Sequence, residues 1–501
     1  MADAEETPSV ERIAEAFSPE NLHRLGHGLV DCLSRHLDSV ESAQQSVLNW
    51  TEPRENTNRA AEILATAASC PPSSGELAVR FEALVGEMLS RGHNLHDPRY
   101  IGHQVPAPVP LAGLFDALGS ITNQVMAIYE MGPWATAVER SLVARLGEVI
   151  GWESDSFAGL VTHGGSLGNL TALLTARNVA IGDVWKAGMD SRSPVILAHK
   201  DAHYSVRRAA GILGIGSDHV LPVELDARRR MDPQKLDGML HDLRRRGVQI
   251  VAVSSCACAT PIGAFDPLEE IAQVCQRHEV WLHVDAAHGG SALLSRKYRD
   301  LLAGIDQADS LVWDAHKMMF VPALCAFVFY RDAGHRRQTF QQDAGYLFDP
   351  SVPELAEYDS GLLTVECTKR AATYGLWGIW ALFGEKLFED MVDVTFDLTR
   401  VFYERLCTEP DFEPLHEPQC NILAFRHVPP ELCDAPEEKI TQFLLTLRRE
   451  LIRSGEFYIV QAQVGGRQAL RISVMNPLTR FEHLERLLAA IRRIGRKILQ
   501  S

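Results

Sequence analysis

Val280-Trp281-Leu282-His283-Val284-Asp285-Ala286-Ala287-His288-Gly289-Gly290 decides how the rest of this 501-residue chain is read. It is an apolar strand that ends on a carboxylate and runs into small residues. A second strand of the same kind follows in Asp309-Ser310-Leu311-Val312-Trp313-Asp314-Ala315-His316-Lys317-Met318-Met319, ending in a polar cluster with one lysine. Working outward, short apolar and β-branched runs recur at 195–198, 250–254, 280–284, 310–313 and 324–330, separated by helix-like stretches such as 268–278. Strands alternating with helices predict an α/β core over residues 111–385, a mainly parallel central sheet with helices on both faces. In such sheets the ligand crevice lies beyond the C-terminal strand ends, where Asp285 and Lys317 stand.

The flanks read differently. Residues 1–110 are polar and helix-patterned, broken by a loop at 70–75 and by Pro98, Pro106, Pro108 and Pro110, which predicts an N-terminal helical arm. After a long helical region at 373–407, two strand-like runs at 421–426 and 470–474 predict a small α+β C-terminal domain over 386–501. Its last helix is expected to open with a capping box made by Thr479 and Glu482. Leu484, Leu487, Leu488, Ile491, Ile494 and Ile498 then form the buried stripe, leaving Arg492, Arg493, Arg496 and Lys497 as the wet side.

Composition excludes several classes. With 46% hydrophobic and 23% charged residues, the chain is an ordinary globular protein. The 49 basic and 65 acidic residues give a net charge of −16, which argues against nucleic acid as a partner. Arg228–Arg230 and Arg244–Arg246 read as solvated basic runs. Ten cysteines are scattered, and the one close pair, Cys256 and Cys258, has no zinc-ligand spacing; His283 and His288 do not match a metal pair either, so no metal is expected. The N-terminus is acidic without an apolar signal core, and the apolar run at 318–330 is too short to span a bilayer. A cytoplasmic location without membrane attachment is expected.

Three segments carry chemistry. Thr162-His163-Gly164-Gly165-Ser166-Leu167-Gly168-Asn169 precedes an apolar-patterned helix, so backbone N–H groups and the Ser166 hydroxyl could hold a phosphate at the helix start. The same glycines also fit a plain turn, and Gly164-Gly165-Ser166-Leu167-Gly168 fits the G-x-S-x-G elbow of an α/β-hydrolase with Ser166 as nucleophile. No Gly-Lys pair occurs, which excludes a Walker-type loop. Asp285 suits pairing with a protonated heterocyclic nitrogen, or caps the following turn. Lys317 suits Schiff-base formation with an aldehyde, or is a solvated lysine.

Taken together, the Ser166 loop, His203-Tyr204-Ser205, Asp285-Ala286-Ala287 and His316-Lys317 resemble the site of the pyridoxal-phosphate-dependent group II amino-acid decarboxylases. Gly263-Ala264-Phe265-Asp266-Pro267, Trp281-Leu282-His283-Val284-Asp285-Ala286-Ala287 and Ala344-Gly345-Tyr346-Leu347-Phe348 are similar to the glutamate and cysteine-sulfinate branch. The resemblance runs from about Pro98-Arg99-Tyr100 to Arg471-Ile472-Ser473-Val474-Met475-Asn476-Pro477. It implies a fold-type-I transferase-like fold with pyridoxal 5'-phosphate as cofactor. It also implies a homodimer with sites at the subunit interface and the N-terminal arm as dimerisation segment.

By resemblance, Lys317 holds the cofactor as a Schiff base and Asp285 pairs with its ring nitrogen, supported by Thr260. His203 stacks on the ring. Gly165, Ser166 and His316 hold the phosphate, and Ala287 lies against the cofactor. Tyr346 returns a proton to the substrate carbon, and Arg471 clamps the substrate α-carboxylate. The implied reaction is α-decarboxylation of an L-amino acid to the amine and CO₂, with glutamate, aspartate or cysteine sulfinate first and diaminobutyrate or an aromatic amino acid behind. Another lyase or an aminotransferase on the same fold, and a non-catalytic binding protein, remain alternatives. Gly102-His103-Gln104-Val105-Pro106 departs from the glutamate pocket, and His103 with Gln104 could bind a short polar or acidic side chain. Cys258 and Ala259 replace a Gly and a Thr before Thr260. Asp314 replaces an Asn, and its carboxylate would repel a phosphate unless it turns away or binds a donor.

Overall fold

The computed structural model describes residues 8–69, 76–190, 193–340 and 355–500. The loop expected at 70–75, and Tyr346 with its surrounding motif, lie outside the described residues. The chain forms two compact units, one of residues 1–101, 442–459 and 478–501, the other of residues 102–441 and 460–477.

In the second unit a seven-stranded sheet is built from β1 (Ala158–Thr162), β2 (Val195–His199), β3 (Val220–Val223), β4 (Ile250–Cys256), β5 (Leu282–Asp285), β6 (Ser310–Asp314) and β7 (Ala326–Tyr330). Their order is β1-β7-β6-β5-β4-β2-β3. Every pairing from β6 to β3 is parallel, and β7 alone runs against its neighbours. Successive strand residues point to opposite faces, and here they enter two separate cores. Leu197, Leu311, Trp313, Phe327 and Phe329 pack with Leu142 and Leu146, Leu236 and Leu240, and Ile271. Ile196, Ala198, Val312, Val328 and Tyr330 pack with Leu173, Val206 and Ala210 on the other face. Two helix layers thus sandwich one sheet, which makes the expected α/β architecture.

The same unit carries an antiparallel four-stranded sheet of β8 (Phe412–Pro414), β9 (Ile422–His427), β10 (Val460–Val464) and β11 (Arg467–Ser473), in the order β8-β9-β11-β10. Ala424, Val464 and Ala469 of this sheet pack on Cys256, which ends β4, and on Ala259, Ile262 and Ala264 in the turn after it. That contact carries β11 to the C-terminal end of the parallel strands.

The first unit is helical, with Pro19–Glu41, Pro53–Ser69, Leu77–Arg91 and Phe481–Gln500 as its longer elements. Ser18 caps the first of these, accepting from the Asn21 N–H. The last helix buries Leu484, Leu487, Leu488, Ile491 and Ile494 as expected, whereas Ile498, near its end, is only half-buried, and its capping box does not form. The Thr479 hydroxyl donates to the Pro98 carbonyl instead. The helix begins two residues later, and the Arg480 N–H donates to His483 Nδ1 at 3.0 Å.

Candidate active site

Beyond the C-terminal ends of β4, β5 and β6 lies a cavity of about 600 Å³. It is lined by His103, Gly165, Ser166, His203, Thr260, Asp285, Ala287, His316, Lys317 and Arg471. Every sequence-derived candidate among the described residues therefore reaches one space, although they come from segments as distant as His103 and Arg471.

The helix Gly165–Ile181 points its start at this cavity. No side chain caps it, and Gly164 before it has φ +102°, a conformation that favours glycine. Gly165 is required for a different reason: a Cβ there would lie 2.7 Å from both carboxylate oxygens of Asp314. Asp314 is buried and aims one oxygen at Lys317 Nζ, 3.0 Å away, and lies 3.6 Å from His316 Nε2. Its other oxygen, Oδ1, has no hydrogen-bond partner. His316 is held to the start of β7 through Nδ1, 2.8 Å from the Cys325 carbonyl. For Lys317, burial opposes the charged form, but the Asp314 and Asp285 carboxylates outweigh it and leave the amine pKa raised.

Asp285 closes β5 and is 8% exposed, a charge that needs partners. Asn169 donates to its Oδ2 at 2.8 Å and the Ala287 N–H to its Oδ1 at 3.2 Å. The side-chain donor to this carboxylate is thus Asn169, one helical turn after Gly165, while Thr260 stands on the cavity wall.

Asn169 belongs to a buried chain whose proton directions follow from chemistry. Burial pushes the His283 imidazole down to about 4, so it is neutral at pH 7. Trp281 Nε1–H donates to Ser310 Oγ at 2.9 Å, which leaves the Ser310 hydroxyl to donate to His283 Nδ1, also at 2.9 Å. His283 Nε2–H then donates to Asn169 Oδ1 at 3.0 Å. That leaves both Asn169 N–H groups for Asp285 and for Ser205 Oγ, each at 2.8 Å, and the Ser205 hydroxyl donates to His203 Nδ1 at 2.8 Å. The chain ends with His203 carrying its proton on Nε2. Burial lowers the His203 pKa, with Asp285 opposing and Lys317 adding to the shift, so this ring too is neutral.

On the opposite side, Arg471 of β11 is 6% exposed, and its Nε and Nη2 have no hydrogen-bond partner. These two N–H groups form one edge of the guanidinium, the fork that takes a carboxylate bidentately. Burial brings its pKa down to about 10, against the raising influence of Cys258 and Cys420.

Residues 87–428 match the pyridoxal-dependent decarboxylase conserved domain. The chain belongs to this decarboxylase family. It is 30% identical to human cysteine sulfinic acid decarboxylase over 506 residues, covering 99% of this chain and 100% of the relative. It is 32% identical to the acidic amino acid decarboxylase of mouse over 382 residues, which covers 75% of this chain and 69% of that protein. The crystal structure of mouse CSAD superposes with a TM-score of 0.85 at 28% identity, covering 95% of this chain and 99% of that one. This decarboxylase is therefore an amino-acid carboxy-lyase that uses pyridoxal 5'-phosphate.

The cavity fits that cofactor. A primary amine, a buried carboxylate, an uncapped helix start and a neutral imidazole match its aldehyde, ring nitrogen, phosphate and ring face in turn. The unpaired edge of Arg471 is left over for a second, anionic ligand.

Proposed function

We propose that the decarboxylase acts on an L-amino acid with a short acidic side chain, in the class of glutamate, aspartate and cysteine sulfinate. The carrying observation is the buried Arg471 edge, whose two unpaired N–H groups suit a substrate α-carboxylate. The rest of the lining supports the side-chain class. Among the described residues its carboxylates are Asp285 and Asp314, the first bonded to Asn169 and Ala287, the second paired with Lys317. Asp285 is engaged on both oxygens and Asp314 is held through one oxygen by Lys317, so no carboxylate of the lining is free on both oxygens for the second ammonium of diaminobutyrate. His103, Gln104 and His163 give the wall polar groups, and the names of the human and mouse relatives point the same way.

When bound, pyridoxal phosphate supplies the electron sink that accepts the bonding pair left on the α-carbon as CO₂ departs. Lys317 would hold it, Asp285 would keep its ring nitrogen protonated, and Gly165, Ser166 and His316 would hold the phosphate. Ala287, small and at the strand end, leaves room for the ring. His203, aligned by Ser205, presents a neutral ring face with a proton on Nε2. Arg471 fixes the carboxylate, so that the scissile bond is oriented before it breaks. Tyr346, outside the described residues, would return a proton to the substrate carbon, with Thr260 and His103 on the cavity wall.

We further propose a homodimer with residues 1–110 as dimerisation segment, and a reducing, cytoplasmic location. Leu114, Leu118, Ile121, Trp134 and Leu382 are each more than half exposed. The helices Pro110–Ile121 and Tyr374–Phe383 pack together, so they offer an apolar face that suits a second copy. The described cysteines are all free thiols, and no described helix is long and apolar enough to cross a membrane.

A screen of CO₂ release over acidic, basic and aromatic amino acids tests the reading. Turnover confined to the acidic group is expected; preference for diaminobutyrate or tryptophan refutes the side-chain assignment. Sedimentation equilibrium at micromolar concentration tests the dimer.

A further inference from the structure

Cys258, His288 and Cys420 come from three separate segments, which is why no spacing in the sequence signals them together. Their donor atoms all lie within 4.8 Å of one another, and all three residues are buried. The two sulfurs are 3.9 Å apart. Tetrahedral zinc with Zn–S bonds of about 2.3 Å sets its sulfurs about 3.8 Å apart, so this pair already has the spacing of one edge of the coordination polyhedron.

The imidazole gives an independent sign. His288 is 2% exposed and its Nδ1 has no hydrogen-bond partner. Its other nitrogen, Nε2, donates to Asn421 Oδ1 at 2.8 Å, and the Asn421 amide is fixed in turn by donating to the Val474 carbonyl at 2.9 Å. This is the arrangement that surrounds metal-bound histidines, where one ring N–H is anchored to a carbonyl and the other nitrogen keeps its lone pair.

We propose that Cys258, His288 and Cys420 form a three-ligand site for a thiophilic d¹⁰ divalent cation, zinc or cadmium. Cys258 and His288 line the cavity, so the fourth coordination position opens into it. On binding, each thiol releases its proton and forms a metal–sulfur bond. A dication replaces two protons, and the net charge of the site does not change. The nearby cations Lys317 and Arg471 therefore meet no added charge. As a consequence that rests on the decarboxylase reading, the bound ion faces the substrate space beside Arg471 and slows turnover.

The test uses the pyridoxal-phosphate-loaded protein, reduced and freed of metal, titrated with Cd²⁺. The ultraviolet charge-transfer band of cadmium thiolate is expected to saturate at one ion per chain. Cys258→Ala and Cys420→Ala should each halve the band and weaken binding more than about a hundredfold, while Cys275→Ala, a buried thiol elsewhere, should bind like the unaltered chain. A full band in both variants, or no band in the unaltered protein, overturns the site. X-ray absorption of the zinc-loaded unaltered chain needs no variant: two sulfur neighbours and one imidazole are expected, and a shell of oxygen and nitrogen alone refutes the assignment. Both readouts are independent of turnover, so a chain that binds cadmium as expected but, when metal-free, releases no CO₂ upholds the site and rejects the decarboxylase reading.

Discussion

Replacing Asn169 with Leu probes whether the buried chain behind Asp285 serves the cofactor or only the fold. The side chains are similar in size, so the change removes hydrogen bonds rather than volume. Asn169 is 1% exposed and makes three bonds, to Asp285, Ser205 and His283. The bond to the carboxylate is worth about 1.5–3 kcal/mol, and leaving the His283 Nε2–H buried without an acceptor costs about 1–3 kcal/mol more. Against a typical total stability of about 5–15 kcal/mol, the loss is large but not necessarily fatal. Denaturant unfolding of the cofactor-free chain measures it. Asp285 would keep only the Ala287 N–H, and His203 would lose the fixed position of Ser205. Affinity for pyridoxal phosphate, read by absorbance titration, should therefore fall about 10–100-fold, the usual effect of removing a group that orients a ligand-binding residue. Ser310→Ala, at the far end of the chain, should cost stability but change cofactor affinity less than threefold. If Asn169→Leu lowers stability yet binds the cofactor like the unaltered protein, the chain positions nothing and the reasoning fails.

Three other tests address the remaining groups. Arg471→Lys keeps a charge but loses the two-pronged edge, so KM should rise about 10–100-fold with a smaller change in kcat; an unchanged KM removes the α-carboxylate role. Asp314→Asn deletes the carboxylate 3.0 Å from Lys317, lowers the amine pKa that this carboxylate raises, and should speed covalent capture of pyridoxal phosphate at neutral pH several-fold by rapid-mixing absorbance. A slower capture contradicts the pairing. His283 and His288 are held neutral by burial, with pKa values of about 4 and about 3 against 6.5 when exposed. Their folded values are depressed, so the unfolded chain binds more protons below pH 6.5. Stability is complete above that pH and falls on acidification by up to about 1.4 kcal/mol per pH unit for each. Unfolding midpoints between pH 6.5 and 5 measure the slope, and His283→Asn should make it shallower.

The parts of the fold that were legible are those whose strands are buried on both faces. Runs such as 250–253 and 327–330 are apolar throughout because each residue enters one of two cores. The strands that the sequence pattern does not reveal break that rule for identifiable reasons. β1 contains Gly159, where a Cβ would come within 2.8 Å of Val143 and 2.9 Å of Phe329, so close packing removed the side chain that would have marked a strand. β3 is the sheet edge, and it tolerates Pro222 there. β10 buries only its ends, Val460 and Val464. The helical stretch 373–407 is two helices, parted at Gly384 with φ +69°.

The site divides in the same way between local and distant information. Asp285 and Lys317 were legible because a strand end fixes where they must lie. Asn169 and His283 were legible in principle: one lies a helical turn after Gly165, the other two residues before Asp285, on the same face of β5. Neither stands out in the sequence, because a buried polar residue shows its value only through its partners, and those partners lie on other elements. Arg471 and the pairing of Cys258 with Cys420 depend on how the turn after β4 packs under the small sheet. A single apolar contact set, Ala424 and Ala469 against Ala259 and Ile262, therefore positions Arg471. Enlarging Ala469 to Leu should then perturb KM through Arg471 while leaving cofactor affinity intact, because Asp285 and Lys317 stand on the parallel sheet and not on the small one.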